Sequence, residues 1–466
     1  MQRILCLACF VVSLFISLLV SSATCGAADR PNILFVLVDD QRNDTLGCAG
    51  HPFIKTPTID KLAKQGVRFE NAFVTTAICA ASRASIFTGL TERTHGYTFG
   101  KPAISAAHAA ASYPAMLRSA GYVTGHFGKY GIKIDAKPGE LFDDFLSKDR
   151  PYFYRENDKN NPGRHVDEVA TERTINFIQN ASDDKPFCAQ ISFNSAHAED
   201  RDKEPGKKGH FPAINEAMYL YDDMKMPPPR LADSKYFDAL PSFLQTSMNK
   251  DRFHWRWDTP EKYELNLRAY CALISGVDIM VARIIATLEE KGIADNTVII
   301  YAGDNGYYMG DRGLAGKWSH YEQSLRVPLI VYDPRRPPSQ RDKVAKPMAL
   351  NIDIPATILD VAGVDVPDHY QGRPLTPVLD GKTPDDWRTD FLCEHLMNHK
   401  SIPKWEGVRS ETFIYGRYFE QDDPEVLHDL VNDPDELVNL AKDPEHAETL
   451  AEMRAKTDDY IKRYTE

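Results

Sequence analysis

The sequence predicts an α/β fold with a mostly parallel central sheet, flanking helices and a smaller C-terminal unit. Three continuous apolar runs, at residues 32–38, 187–193 and 297–302, have the length of strands that are buried on both faces. Residues 259–292 instead show helical spacing of apolar side chains. From about residue 374 the pattern changes to short aromatic and β-branched runs separated by turns, which favours an antiparallel sheet.

The long helical segment has clear start and stop signals. Thr259 and Pro260 are typical of an N-cap and a first helical position, and Gly292 is typical of the end. The apolar positions with helical spacing are expected to lie in the core, and they are Tyr270, Leu273, Ile274, Val277, Val281, Ile284, Ile285 and Leu288. Before this helix, residues 198–258 show weak periodicity, and such a long irregular insertion is expected to wall a functional cleft.

The C-terminal part shows its own pattern. Residues 386–418 predict the small antiparallel sheet. Asp443 and Pro444 then predict the cap of a final helix whose apolar positions include Leu450, Met453 and Ile461.

Composition limits the class of partner. The chain has 466 residues, of which 42% are hydrophobic and 26% charged, so it can form a sizeable core. Its formal net charge of −12 argues against a nucleic-acid partner, because phosphates would be repelled. A polyanionic substrate is not excluded, because an acidic protein can contain a local basic pocket.

The N-terminus predicts export, to the periplasm or the medium. Arg3 precedes an apolar run at residues 4–20, and small residues at 26–28 offer a cleavage site, so residues 1–28 are predicted to be a secretory signal peptide. An uncleaved anchor is the alternative. Cys25 allows lipid attachment, although the residues before it match a lipobox poorly. No stable membrane partner is expected.

Cysteine usage does not suggest a disulfide scaffold. Removal of the leader leaves Cys48, Cys79, Cys188, Cys271 and Cys393. Because five is odd, at least one thiol must be unpaired or modified, and Cys79 is the natural candidate.

Two predicted strands end in polar pairs. Asp39 and Asp40 follow the first strand, and Asp304 and Asn305 follow the strand at 297–302. In α/β sheets, functional groups lie beyond the carboxyl ends of strands. Oxygen-only ligands suit a hard cation such as Ca²⁺ or Mg²⁺ and not zinc. The alternatives are a helix N-cap for Asp40 and a simple turn for Asp-Asn-Gly.

Residues 79–89 carry the strongest candidate for chemistry. They follow an alternating, strand-like run at 67–74 and open a segment with helical spacing, so Cys79 is predicted at a helix N-terminus. Unpaired N–H groups there favour an anion and activate a nucleophile. Arg83, one turn on, adds a bidentate cation for an oxyanion such as sulfate or phosphate. A buried thiol beside a surface arginine is the alternative for either residue alone.

The stretch Cys79-Ala-Ala-Ser-Arg83, followed by Thr88-Gly89, resembles the signature of the type I sulfatases, with Ala81 where proline is more common. The resemblance extends over nearly the whole chain from residue 31 and implies an alkaline-phosphatase-like fold. It also implies that a maturation enzyme oxidises Cys79 to formylglycine. The predicted division is a leader at 1–28, a catalytic domain at 29–375 and a C-terminal subdomain at 376–466.

The same resemblance assigns roles by position. Asp39, Asp40, Asp304, Asn305 and the formylglycine would hold one divalent cation, usually calcium and alternatively magnesium, against the sulfate. Residues 121–130, which end in Gly-Lys129-Tyr, and residues 306–331, which include Lys317, match the stretches whose lysines bind sulfate. His197 matches the proposed general acid. The implied mechanism is attack on sulfur by hydrated formylglycine, departure of the protonated alcohol, and expulsion of sulfate from the covalent intermediate.

One position departs from the family pattern. A histidine commonly stands two residues after the first lysine, but this chain has Gly131. His126, Lys133 or a residue from another loop are open as substitutes.

A sulfated saccharide is the expected substrate. His320, Glu394, His395 and His399 are candidate substrate-binding residues, with packing or a satisfied polar residue on a sheet edge as the alternative. Two other functions stay open: a phosphodiesterase or phosphonate monoester hydrolase of the same superfamily, and a binding protein without turnover.

Overall fold

A computed structural model of the chain describes residues 30–149, 153–154, 163–200 and 210–465. The predicted leader at 1–28, with Cys25, lies outside the described residues. The strands are β1 (Asn32–Val38), β2 (Val67–Phe69), β3 (Ala72–Phe73), β4 (Val123–Gly128), β5 (Asp144–Ser147), β6 (Phe187–Ser192), β7 (Thr297–Gly303), β8 (Leu329–Tyr332), β9 (Lys343–Ala345), β10 (Ala349–Leu350), β11 (Asp390–His395), β12 (Trp405–Ser410), β13 (Phe413–Tyr418) and β14 (Glu425–Asp429).

The α-helices are α1 (Pro57–Gln65), α2 (Cys79–Thr88), α3 (Glu92–His95), α4 (Ala106–Ala110), α5 (Tyr113–Ser119), α6 (Pro138–Leu141), α7 (Val166–Gln179), α8 (Ser234–Asp238), α9 (Ser242–Gln245), α10 (Met248–Arg256), α11 (Pro260–Glu290), α12 (Glu322–Leu325), α13 (Asp353–Val361), α14 (Thr376–Leu379) and α15 (Ala447–Thr465). Short 3₁₀ turns join several of them.

The central sheet is mostly parallel, as predicted. Its strand order is β5-β4-β6-β1-β7-β8-β2-β9, and the first five strands in this order are parallel neighbours. In the register of β1, Leu37 pairs with Ser192 of β6 and Val38 pairs with Gly303 of β7. These three strands therefore end at the same level, and the residues that follow them meet at one edge of the sheet.

Both faces of the central sheet are covered. Along β1, Ile33, Phe35 and Leu37 belong to the core on one face, and alternate residues belong to the core on the other. The second face packs against α11, which has the length and composition of a membrane span, but 72% of its most apolar window is buried inside the protein. Thr259 caps α11 by accepting a hydrogen bond from the Lys262 N–H at 3.2 Å. The predicted core helix and its start are thus confirmed.

The strand-like run at 67–74 is divided in the structure. β2 lies in the central sheet, whereas β3 pairs with β10 in a separate two-stranded sheet. The break falls at Glu70, whose carbonyl accepts hydrogen bonds from Arg326 Nε at 3.1 Å and Nη2 at 2.7 Å. At this break the backbone is therefore held by a side chain that is distant in the sequence.

The C-terminal part forms a four-stranded antiparallel sheet in the order β11-β12-β13-β14, with α15 packed against it. The antiparallel sheet is confirmed, but the sequence pattern ended at residue 418 and missed β14. Asp443 accepts a hydrogen bond from the Glu445 N–H at 2.9 Å at the start of the last helical segment. Leu450 and Met453 of α15 are buried, as predicted. The domain boundary at 375/376 stays a prediction.

Candidate active site

The two acidic strand ends meet at the carboxyl edge of the central sheet. The backbone N–H of Asp40 donates to Asp304 Oδ1 at 3.1 Å, and Asn305 Nδ2 donates to Asp40 Oδ1 at 2.7 Å. Asp39, Asp40, Asp304 and Asn305 are all buried. Asp40 has a φ of 55° and is followed by irregular chain, with the next helical turn starting only at residue 47, so it does not act as a helix N-cap.

Three buried cations neutralise these carboxylates. Lys129 Nζ pairs with Asp39 Oδ2, and Lys317 Nζ pairs with Asp40 Oδ1. Arg83 Nε donates to Asp304 Oδ2 at 2.7 Å. Burial, and then the charge of Asp39, raise the pKa of the Asp304 carboxyl, while the Arg83 and Lys129 charges oppose that rise. Each of these three carboxylates thus has one buried cation as its partner.

Cys79 is the first residue of α2, as predicted. The preceding Ile78 has extended backbone and provides no side-chain cap, so the first N–H groups of the helix keep their anion-binding capacity. Asn351 holds this helix start in place: its Nδ2 donates to Ser82 Oγ at 3.0 Å, and its Oδ1 accepts from the Thr75 N–H at 3.1 Å. Among the described residues, no cysteine forms a disulfide.

Arg83 joins three parts of the site. Besides Asp304, it donates from Nη1 to the Lys129 carbonyl at 2.9 Å and to Ser192 Oγ at the end of β6. Its Nη2 is buried and has no hydrogen-bond partner among the described residues. The alternative of a surface arginine is therefore wrong, and the unused N–H group is available to an oxyanion.

His197 follows β6 at the same edge. Its Nδ1 lies 2.7 Å from the Ala198 carbonyl, and because a carbonyl only accepts, Nδ1 carries the proton in that contact. Its Nε2 lies 3.4 Å from Asp40 Oδ2 and 3.9 Å from Asp200 Oδ2. The second nitrogen thus points toward the acidic cluster.

The donor set fits a hard divalent cation. One ligand atom each from Asp39, Asp40 and His197 lie within 4.8 Å of one another. Asp40 Oδ2 and Asn305 Oδ1 are buried and accept no hydrogen bond from the described residues. His197 contributes a nitrogen to this group, whereas the carboxylate and amide oxygens of Asp39, Asp40 and Asn305 are the kind of ligand that Ca²⁺ and Mg²⁺ prefer.

Gly131 lies against the sulfate-binding candidates. It has a φ of 70°, and a Cβ there would come within 3.3 Å of Arg83 Cδ and 3.4 Å of Lys129 Cε. The sequence reasoning missed Tyr97, whose hydroxyl lies 3.4 Å from the Gly131 carbonyl oxygen.

One proposed substitute for the missing histidine, His126, adjoins the site: burial, and to a lesser degree the Arg83 charge, lower the pKa of its ring, and the Lys129 backbone opposes this. The His126 ring stacks on Phe145, with ring centroids 5.6 Å apart, in a buried aromatic cluster. The Lys133 side chain is exposed. What replaces the family histidine therefore stays open.

Two of the four candidate substrate-binding residues are held by packing contacts. His320 Nδ1 lies 2.7 Å from Tyr418 Oη, and its Nε2 lies 3.3 Å from His428 Nε2. Glu394 accepts hydrogen bonds from the Arg93 N–H at 2.8 Å and from Arg93 Nε at 3.1 Å. These contacts favour the packing alternative for both residues.

The other two candidates differ in exposure. His395 is buried at the end of β11, and His399 is partly exposed in the loop that follows. For these two, substrate contact stays a prediction.

The insertion before α11 contributes a second group that the sequence reasoning did not single out. Asp200 accepts from Arg252 Nη2 at 3.1 Å and from Arg256 Nη2 at 3.2 Å. The Arg252 guanidinium lies 4.8 Å from the ring centroid of Trp318, the residue after Lys317. The signal for this group in the sequence is a pair of arginines four residues apart in a polar segment that forms a helix. The expectation that this insertion walls the cleft agrees with these contacts.

Comparison with known proteins identifies the family. A family model for sulfatases matches residues 31–364, and a model described as N-sulphoglucosamine sulphohydrolase, C-terminal, matches residues 310–463. The first match covers more than half of the chain, so the chain belongs to the sulfatase family. This confirms the resemblance carried by residues 79–89 and defines the protein as a sulfuric ester hydrolase.

Curated relatives and solved structures agree with this assignment. The chain is 27% identical to an N-acetylglucosamine-6-O-sulfatase of Bacteroides thetaiotaomicron over 93% of this chain and 87% of that protein. It is 27% identical to an arylsulfatase of Clostridium perfringens over 86% of this chain and 90% of that protein.

The solved structures show the fold. One was determined in complex with its substrate D-glucosamine-2-N,6-O-disulfate, and it has a TM-score of 0.77 with 24% identity, covering 93% of this chain and 98% of that one. A phosphonate monoester hydrolase of Agrobacterium radiobacter has a TM-score of 0.75 with 22% identity, and the match covers 93% of this chain and 96% of that one. The predicted fold class is thereby confirmed.

Proposed function

We propose that this protein hydrolyses a sulfate ester of a carbohydrate at the site around Cys79, with formylglycine made from Cys79 as the nucleophile and one divalent cation as cofactor. The observation that carries the proposal is the convergence of Arg83, Lys129 and Lys317 on the acidic cluster next to the α2 N-terminus. Buried cations that surround one small space suit a tetrahedral oxyanion such as a sulfate ester.

The cations would bind and orient the sulfate. Lys129 and Lys317 now pair with Asp39 and Asp40, and on binding they would turn toward the sulfate oxygens. Arg83 would offer its unused Nη2 while Nε keeps its bond to Asp304. Fixed donors in a site without bulk water stabilise the charge that shifts when the S–O bond breaks.

Two groups are proposed that the chain's side chains alone do not supply. Formylglycine supplies a hydrated aldehyde, a diol with one hydroxyl for attack on sulfur and one for release of sulfate. Asp39, Asp40, Asp304 and Asn305 would hold the cation, with calcium favoured and magnesium the alternative, and the cation would withdraw charge from the sulfate. A formylglycine-generating maturation enzyme is the partner this chemistry requires.

His197 would move the proton. With Nδ1 hydrogen-bonded to the Ala198 carbonyl, Nε2 is the atom that would give a proton to the departing alcohol. Asp40 Oδ2 and Asp200 Oδ2 lie 3.4 and 3.9 Å from this nitrogen.

The relatives' names support a sulfated saccharide as substrate and a place outside the cytoplasm. The Bacteroides relative is named for N-acetylglucosamine 6-O-sulfate, and one structural neighbour holds a disulfated glucosamine. A Drosophila relative, of which the chain covers only 36%, is named an extracellular sulfatase. Together with residues 1–28, this supports export to the periplasm or the medium.

Steady-state hydrolysis by the purified, matured protein tests the proposal. Release of sulfate from N-acetylglucosamine 6-sulfate and from a panel of other sulfated sugars should be measured beside an aryl phosphonate. We expect turnover of a sulfated sugar and its loss in Cys79→Ala. A higher kcat/KM for the phosphonate would support the phosphonate hydrolase alternative, and binding without turnover by fully converted protein would support the binding-protein alternative.

A further inference from the structure

Beside the proposed sulfate site lies a pair of arginines that share one carboxylate. Arg252 and Arg256, one turn apart on α10, donate to Oδ2 and Oδ1 of Asp200 respectively. Among the described residues, this group therefore sets two positive charges against one negative charge. A surplus charge that is buried is costly unless a ligand compensates for it.

Both guanidinium groups have unused donors. Each of the two arginines has two buried nitrogens, Nε and Nη1, that have no hydrogen-bond partner among the described residues. A buried donor without a partner is costly, because it has lost its hydrogen bond to water. Such a cost is offset when an acceptor binds, and planar N–H forks match carboxylate and sulfate oxygens.

The arginine pair is next to the reaction site and open to solvent on one side. Asp200 Oδ2, which accepts from Arg252, also lies 3.9 Å from His197 Nε2. The Arg252 guanidinium is fixed over the ring of Trp318, which directly follows Lys317 in the chain. Asp200 keeps 31% of its side chain exposed, whereas Arg252 keeps 11% and Arg256 none. Of the two arginines, Arg252 is therefore the one that a ligand approaching from the Asp200 side would meet.

The backbone also supports a shaped pocket wall here. Trp318 has a φ of 81°, a left-handed conformation that is strained for a bulky aromatic residue. Its N–H donates to the Ala77 carbonyl at 3.2 Å, and its carbonyl accepts from Trp405 Nε1 at 2.7 Å. Because both backbone groups are tied, the indole ring is held as a fixed platform for the guanidinium.

We propose that Arg252, supported by Trp318 and Arg256, is a second anion subsite that binds another negatively charged group on the saccharide whose sulfate is hydrolysed. The inference rests on the proposed function and adds a substrate class to it, namely sugars that carry two anionic groups. The second group is a sulfate or a carboxylate, since both accept two parallel N–H bonds.

The test measures binding without turnover. Calorimetry on the full-length Cys79→Ala protein compares N-acetylglucosamine 6-sulfate, glucosamine 2-N,6-O-disulfate and N-succinylglucosamine 6-sulfate, which carries a carboxylate in place of the second sulfate. We expect at least one doubly charged sugar to bind more tightly than the singly charged one by about tenfold or more, as even one charge-assisted hydrogen bond would give. The doubly charged sugar that binds more tightly shows whether the second group is a sulfate or a carboxylate.

A second substitution on the same background assigns the effect to Arg252. Arg252→Gln should remove this preference and leave the affinity for the singly charged sugar within about twofold, which also shows that the protein is folded. Arg252→Lys should restore part of the preference, because charge remains and the fork is lost. Arg268→Gln, at an arginine that pairs with Glu264 on α11, is the control and should change nothing.

The outcomes separate the two proposals. If the sugars bind and the preference is absent, or is the same in Arg252→Gln, the subsite is overturned and the proposed function stands. If no sulfated sugar binds and none is hydrolysed by the matured protein, the proposed function fails and the subsite fails with it.

Discussion

The Nε2 atom of His197 lies 3.4 Å from Oδ2 of Asp40, while its Nδ1 lies 2.7 Å from the Ala198 carbonyl. The ring is thus fixed by one nitrogen and directed at the acidic cluster by the other. A histidine held in this way can donate a proton from a single, defined atom.

This geometry predicts how the effect of His197→Asn depends on the leaving group. A sugar alkoxide needs a proton to depart, whereas a nitrophenolate does not. We expect kcat/KM to fall about 10²–10⁴-fold on a sulfated sugar and far less on 4-nitrophenyl sulfate. Steady-state rates on both substrates check it, and an equal loss on both would mean that His197 does not act as the acid.

The acidic cluster predicts a metal-dependent protein. Chelation should abolish sulfate release, and calcium or magnesium should restore it. Calcium at about 100 times its Kd should add about 2.7 kcal/mol to the free energy of unfolding, seen as a rise in Tm. Asp304→Asn should lose the rise, while Asp183→Asn, at an exposed position, should keep it. A calcium-independent Tm together with activity in chelator would exclude the metal.

Gly131 predicts that the family histidine cannot simply be restored. Its φ of 70° disfavours a side chain, and a Cβ would press on Arg83 Cδ at 3.3 Å. Gly131→His should therefore lower the free energy of unfolding by about 1 kcal/mol or more and reduce kcat/KM.

The matched control is Gly50→Ala, since Gly50 has a φ of 89° and a Cβ added there would have no neighbouring atom within 4 Å. This variant should lower the free energy of unfolding only by the cost of placing a side chain at a positive φ, and it should leave kcat/KM unchanged. Increased activity in Gly131→His would instead show that the site accepts the histidine.

Glu92 predicts a pH-dependent stability. Burial, and then the charge of Glu394, raise its pKa from 4.5 to about 8. The folded state binds this proton more tightly than the unfolded state does. The contribution of Glu92 to the free energy of unfolding is therefore greatest below pH 4.5 and falls as the pH rises toward 8. Glu92→Gln should raise Tm more at pH 8 than at pH 5. Exposed Glu290→Gln should raise it at neither pH, and an equal effect of Glu92→Gln at both would contradict the shift.

The sequence was sufficient for the parts of the site that depend on regular structure. Parallel strands end at one edge, so Asp39 and Asp304 could be placed together although they are far apart along the chain. A helix start was recognisable at Cys79 because the periodicity changes there. The roles of Lys129, Lys317 and His197 came from the family resemblance and stay predictions, whereas their contacts with Asp39 and Asp40 are seen in the structure.

The remainder depends on contacts that no local pattern encodes. Arg326 holds the backbone at Glu70, where the strand-like run breaks, and Arg252 stacks on Trp318 from an insertion without clear periodicity. Tyr97 approaches Gly131 from a loop 34 residues away. In each case tertiary packing brings together side chains whose local sequence favours an ordinary surface or core position.

Peptide mass spectrometry across Cys79, on protein purified from its native host, tests the central claim most directly. Tryptic cleavage after Arg68 and Arg83 isolates residues 69–83, which contain only this cysteine. Conversion to formylglycine replaces the thiol with an aldehyde oxygen and predicts a peptide about 18 Da lighter than the unmodified one. A peptide that carries only the unmodified thiol in active protein would contradict the formylglycine nucleophile.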